Sequence, residues 1–235
     1  MNESAESHVL LPTEVELLVE NLKACPVKDI GGKRWQKHHE YLQKLNIQAI
    51  MSAQLQEEEF VKDNLITYQK LPVLIEDLLS IEYWKDNIFP VICSTSFTRK
   101  TTIPIYMVLY HEAVLLNLLE TIFYHKETIE SSDDNLLDLL DYCYRRLTTL
   151  VTTQRRSQSD ESETDSKDVP EDIKDLKEQL KTMEFESSLK VMSILRYMTD
   201  GLDVAPLSMT SRILNVHNIP CLLVELVENL SLIHI

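Results

Sequence analysis

Metal or hydrolytic chemistry in this chain would have to start from its histidines. His111-Glu112 is half of a zinc-protease motif, in which two histidines four residues apart hold the metal and the glutamate serves as base. Leu115 stands where the second histidine belongs, so His111 reads as a core or rim histidine. A helical hydrolase using His111 and Glu112 is the only enzyme reading that the residues offer. His38-His39-Glu40 also carries three ligand types, but neighbours on a helix point about 100° apart and rarely converge on one ion. The expectation there is a solvated helix face. Cys25, Cys93, Cys143 and Cys221 are far apart, lack the two-residue spacing of a zinc knuckle, and sit in apolar surroundings. Reduced core thiols are expected, and none is marked by a nearby base as a nucleophile. No catalytic residue, cofactor or metal is therefore expected within this chain.

Other polar residues point to binding. Glu112, Asn117 and Glu120 lie on an otherwise apolar run, where buried polar groups must cap loops, bond across helices or line a groove. Ser157 and Ser162 each have an aspartate three residues later, Asp160 and Asp165, the arrangement that acid-directed kinases prefer. Phosphate there would add charge to an already negative strand.

The elements that position these residues read as helices throughout. Leu71-Pro72-Val73-Leu74-Ile75-Glu76-Asp77-Leu78-Leu79 returns as Ile219-Pro220-Cys221-Leu222-Leu223-Val224-Glu225-Leu226-Val227, and Ile103-Pro104 opens a third apolar helix. Proline suits a first helical turn, because its missing N–H costs nothing there. Recurring proline-started, leucine-lined helices predict an all-α stack of armadillo or HEAT type. Thr13 with Glu16 predicts a capping box for a first short helix. A second helix carries Trp35, Leu42, Leu45, Ile50 and Leu55; others are expected over 58–68, 72–85, 104–127 and 135–152. Phe89-Pro90 marks an exit. A helix opened by Pro170 should bury Ile173, Leu176, Leu180, Met183, Leu189, Met192 and Leu195 and stop at Gly201. The organisation expected is helical repeats over 1–152, an acidic disordered linker over 153–169, continuing repeats over 170–229, and an atypical terminus over 230–235. Glu76, Asp77, Glu120 and Glu225 should face solvent as an acidic protein-binding surface.

Composition narrows the function further. Thirty-eight acidic residues against twenty-three basic ones give a formal charge of −15, which repels phosphate backbones and anionic lipid. Nucleic acid and membrane are thus disfavoured as partners, and basic proteins favoured. Three glycines, Gly31, Gly32 and Gly201, are too few for a phosphate-cradling loop or a dinucleotide fold. The run 103–124 is interrupted by His111, Glu112, Asn117 and Glu120, and reads as a buried helix rather than a membrane span. The polar start, Met1-Asn2-Glu3-Ser4-Ala5-Glu6, lacks a signal-peptide pattern, so a cytoplasmic chain is expected. Alone, these features support an acidic helical-repeat interaction module.

Several strings add a resemblance. They are Leu42-Gln43-Lys44-Leu45-Asn46-Ile47-Gln48-Ala49-Ile50, Phe89-Pro90-Val91, Pro104-Ile105-Tyr106-Met107-Val108, His111-Glu112-Ala113 and Asn117-Leu118-Leu119-Glu120-Thr121. Met183-Glu184-Phe185-Glu186, Leu195-Arg196-Tyr197 and the run from His217-Asn218-Ile219-Pro220 to Leu226 follow. In this order, from about Leu10 to Glu228, they resemble the N-terminal part of the zinc finger MYND domain-containing protein 10 family, cytoplasmic factors for assembling ciliary dynein arms. The resemblance implies a non-enzymatic helical scaffold for preassembly of axonemal dynein heavy and intermediate chains, required for motile cilia. It implies as partners a leucine-rich-repeat dynein assembly factor and Hsp90 with an FK506-binding co-chaperone. The family's zinc-binding MYND finger is not among these residues, so its zinc sites are expected outside this chain. The ending Leu230-Ser231-Leu232-Ile233-His234-Ile235 departs from the family pattern, as a truncated or misread transcript would, and should leave an apolar edge uncapped.

Overall fold

A computed structural model describes residues 9–94, 101–158 and 171–231, and these contain helices and no strand. The helices are α1 (Pro12–Glu20), α2 (Lys33–Leu55), α3 (Phe60–Thr67), α4 (Leu71–Asn87), α5 (Phe89–Ser94) and α6 (Ile103–Phe123). Then come α7 (Lys126–Glu130), α8 (Asn135–Gln158), α9 (Glu171–Asp200), α10 (Leu207–Ser211) and α11 (Ile219–Ser231). Proline stands in the first turn of α1, α4, α6 and α11, as its fixed φ favours. The first cap differs from the Thr13–Glu16 expectation. The cap is Leu11, two residues earlier, and the Glu14 carboxylate accepts from the Leu11 N–H at 2.8 Å.

Helix α6 forms the centre and is covered by α2, α4 and α9. Val114, Leu115, Leu116, Leu118, Leu119 and Ile122 are all buried on it, which is why apolar residues occur on nearly every side. By length and composition this helix could cross a membrane; here it is a core helix carrying buried His111 and Glu112. Helix α8 packs on α4, α9 and α11, and α1 on α3. At the far end Asp141 of α8 accepts from Arg212 Nε (2.8 Å) and His217 Nε2 (2.6 Å), fastening α8 to the turn before α11.

Several boundaries and faces depart from the sequence reading. Phe89-Pro90 starts α5 instead of ending the helical run. Helix α8 continues to Gln158, so residues 153–158, including the backbone of Ser157, are helical; Ser162 lies outside the described residues. The inward face of α9 runs through Leu176, Val191, Ile194, Leu195 and Met198, whereas Leu189 is exposed. Helix α9 packs on both α6 and α8, so its inward face is set by two neighbours and not by one regular stripe. Cys25 and Cys143 are buried and Cys93 half-buried, but Cys221 is exposed, because α11 turns Leu222 and Leu226 inward instead. Val224 and Val227 on α11, with Leu207 before it, stand in solvent.

Gly201 follows α9 immediately, and its role is space. A Cβ there would lie 2.3 Å from Ile129 Cδ1 of α7. Gly201→Ala is therefore expected to cost about 1–3 kcal/mol by overpacking, seen as a lower midpoint in thermal unfolding. An unchanged midpoint would mean α7 does not close on this turn.

Candidate functional site

The polar residues of the core gather where α2, α4, α6, α8 and α9 meet. On α2, Trp35, His39 and Leu42 continue one inward face with His38 beside it, so both histidines are buried. This overturns the solvated-face expectation for His38-His39-Glu40, in which only Glu40 is exposed. The signal was present in the sequence: His39 is four residues after Trp35 and three before Leu42, on the apolar stripe.

Asp77 is the centre of the first network. It was expected to face solvent beside Glu76, yet it is 1% exposed while Glu76 is exposed. Its Oδ2 lies 2.8 Å from both His38 Nε2 and His111 Nε2. His111 Nδ1 in turn lies 2.6 Å from His39 Nδ1, and the His39 ring stacks on Trp35 with centroids 5.3 Å apart. One proton arrangement satisfies all three contacts. His38 and His111 donate through Nε2–H to the carboxylate, and His39 donates through Nδ1–H to His111. Burial, with His111 and His38 alongside, lowers His39 from 6.5 to about 4, so it is neutral at pH 7. Burial alone would raise the Asp77 carboxyl, but the hydrogen bonds from His111 and His38 overcome it and hold the group well below its ordinary range.

His38, Asp77 and His111 place three ligand atoms within 4.8 Å of one another, so by proximity they could hold a metal ion. Spacing favours shared protons instead. Ligands about 2.0–2.1 Å from a tetrahedral zinc lie about 3.3 Å from each other, whereas the two contacts to Asp77 are 2.8 Å.

The second network surrounds Glu112. Adjacent positions on a helix diverge, so Glu112 points away from the His111 cluster. Its Oε2 accepts from Lys85 Nζ at 2.5 Å and its Oε1 from the Tyr142 hydroxyl at 2.7 Å, with Arg146 Nε at 3.7 Å. Glu184 of α9 lies 3.4 Å from both Lys85 and Arg146, which makes two cations and two carboxylates. Burial opposes ionisation of Glu112, but Lys85 and Arg146 outweigh it and bring the carboxyl down from 4.5 to about 2. Burial and the Glu112 charge push the Tyr142 phenol well above 10.0. Both nitrogens of His111 and both oxygens of Glu112 are thus engaged, in separate networks. The pair does not converge on one substrate position, and the hydrolase geometry is not formed by these two residues.

The remaining sequence-predicted residues are scattered. Glu120 is half-buried and pairs with Lys190 at 3.4 Å, and Glu225 pairs with Arg155. Glu120 does line an open groove of about 600 Å³ with Glu57, Glu59, Tyr124, His125 and Tyr197. Two tyrosines there meet edge to face at 5.6 Å, and His125 Nε2 lies 2.6 Å from Glu59. Carboxylates beside aromatic faces suit a lysine or arginine side chain, through ion pairing and cation–π attraction. Sequence spacing could not assemble this groove, since its walls come from the ends of α2, α6 and α9.

No protein-family model matches the chain, and no solved structure matches it. Among curated proteins it is similar to the zinc finger MYND domain-containing protein 10 homolog of Drosophila melanogaster, with 32% identity over 218 residues. The match covers 92% of this chain and 48% of that protein, so the chain spans about half the length of the curated relative it matches.

Proposed function

From its homology to zinc finger MYND domain-containing protein 10 along nearly its whole length, we propose that this chain is a non-enzymatic scaffold for axonemal dynein-arm preassembly in the cytoplasm. That homology is the observation that carries the reading. In this role the chain holds dynein heavy and intermediate chains while Hsp90, with an FK506-binding co-chaperone, acts on them, and it joins a leucine-rich-repeat assembly factor. An all-helical body built around one central helix supports a platform role, as does the recurrence of proline-opened helices at α4, α6 and α11. On this reading the helices are armadillo- or HEAT-like layers.

Client contact is assigned to the groove of Glu57, Glu59, Glu120, Tyr124 and Tyr197, which would accept a basic stretch of a dynein chain or co-assembly factor. Exposed Glu76 and half-buried Glu225 extend the acidic character, whereas buried Asp77 serves the fold.

The test is capture of partners by the full chain from ciliated-cell cytosol, read by mass spectrometry. Dynein chains and the leucine-rich-repeat factor are expected, and their absence would sink the reading. Glu57→Lys with Glu120→Lys should weaken capture about tenfold and make the residual binding less salt-sensitive. Helicity should not change, because the Glu120–Lys190 pair is partly exposed and worth little. Capture that is indifferent to both salt and reversal would move the contact elsewhere.

A further inference from the structure

At the other end of α2, roughly 30 Å along its axis, the surface changes sign. Asn21 and Lys23 from the end of α1 face Arg34, Lys37, His38 and Tyr41 across an open depression of about 300 Å³. Positions 34, 37, 38 and 41 share one helical face, which is why a single element supplies four of the six walls. No lining residue is acidic. In a chain of net charge −15, Lys23, Arg34 and Lys37 make no ion pair among the described residues.

The placement of these cations needs explaining. Lys33, Arg34 and Lys37 occupy the first turns of α2, where the N–H ends of the helix are already positive and basic side chains are unfavourable. No side chain caps α2 at Gly32. An anion at this end would offset both penalties. The other features are those of a receptor. Lys37 Nζ is held over the Tyr41 ring at 5.6 Å, and His38 is held from behind by Asp77 through Nε2.

We propose that this depression binds a phosphoryl group carried on a partner protein, a phosphoserine- or phosphothreonine-bearing segment. A dianion with three acceptor oxygens matches the three cations that line the depression better than a single carboxylate does. Arg34 offers the planar fork that grips such a group in bidentate fashion, and the lysines add point charge. The space exceeds that of a phosphate ion, leaving room for the side chain that bears it. The site is separate from the acidic groove and does not depend on the role in dynein assembly.

The experiment is fluorescence anisotropy of the full chain with a labelled degenerate phosphoserine peptide library and the same library unphosphorylated. The phosphorylated library should bind at least about tenfold tighter. Arg34→Gln with Lys37→Gln should abolish that preference, while Lys44→Gln, on an exposed face of α2, should leave it intact. Arg34 and Lys37 are exposed and make no ion pair among the described residues, so the double variant should keep its circular dichroism and thermal midpoint. Inorganic phosphate added as competitor separates the sources. Displacement only at concentrations far above the peptide Kd supports a protein-borne phosphoryl group, and displacement at equal concentration would overturn it in favour of the free ion. Equal binding of the two libraries, or a preference retained in the pocket variant, would overturn the site itself.

Discussion

Glu112→Ala is expected to lower the thermal midpoint by about 10 °C, the largest effect of any single substitution in this fold. The substitution leaves Lys85 and Arg146, 3% and 6% exposed in their side chains, without their central carboxylate. Breaking a buried pair by removing one partner costs about 3–5 kcal/mol, because the remaining charge is neither solvated nor paired. In a chain of this size each kcal/mol moves the midpoint by about 2–4 °C. Glu184 cannot take over, since it stands 3.4 Å from each cation and is itself about one-third exposed. Glu112→Gln keeps the size and an acceptor for Tyr142 but loses the charge, so it should recover only part of the deficit. A Glu112→Ala midpoint within about 2 °C of the parent would mean that the buried network does not hold α4, α6 and α8 together.

Acid should destabilise the protein from near neutrality, well above the carboxylate range. His39 titrates at 6.5 when unfolded and at about 4 when folded, so between those values the unfolded chain binds more protons. Its contribution to stability is complete above about 6.5 and is lost as pH falls towards 4, at up to about 1.4 kcal/mol per pH unit. Glu112 and Asp77 follow the carboxylate case. Their folded values are depressed, so their contributions are complete above 4.5 and 3.8 respectively and are lost as pH falls through the lower folded values. For Glu112 that window runs from 4.5 down to about 2. Urea unfolding at a series of pH values should show two slopes. His39→Gln cannot titrate but can still donate to His111; it should flatten the slope between pH 6.5 and 4 and leave the lower one. An unaltered upper slope in His39→Gln would place the acid-sensitive proton on another group.

Helix content was legible in the sequence because its signals are local. Proline at the start of α4, α6 and α11 and leucine at helical spacing each act within one or two turns. Boundaries moved where a neighbour overrode the local signal, as when α8 continued to Gln158 or α9 turned Leu189 outward. The polar residues of α6 were expected to cap loops, bond across helices or line a groove; Glu112 bonds across helices to Lys85 and Tyr142, and Glu120 lines a groove. His111 was read as a core or rim histidine because the zinc motif lacks its second histidine, and the fold places it in the core.

The partners themselves were not legible. Asp77 follows exposed Glu76 on a helix rich in charge, and nothing local says that it turns inward to meet residues 39 positions before it and 34 after it. The same holds for Lys85 with Glu112 and Tyr142, and for the groove that gathers Glu57, Glu120 and Tyr197. The basic depression of Lys23, Arg34 and Lys37 is likewise hidden within an acidic composition. By itself the sequence determined an all-helical chain and its apolar stripes, because propensity and periodicity are written along the chain. Only the tertiary structure decided which charges are buried, which are paired and which converge on open surface. Those outcomes depend on distances between helices far apart in sequence, and burial converts a nearly free surface charge into a group whose partner decides several kcal/mol.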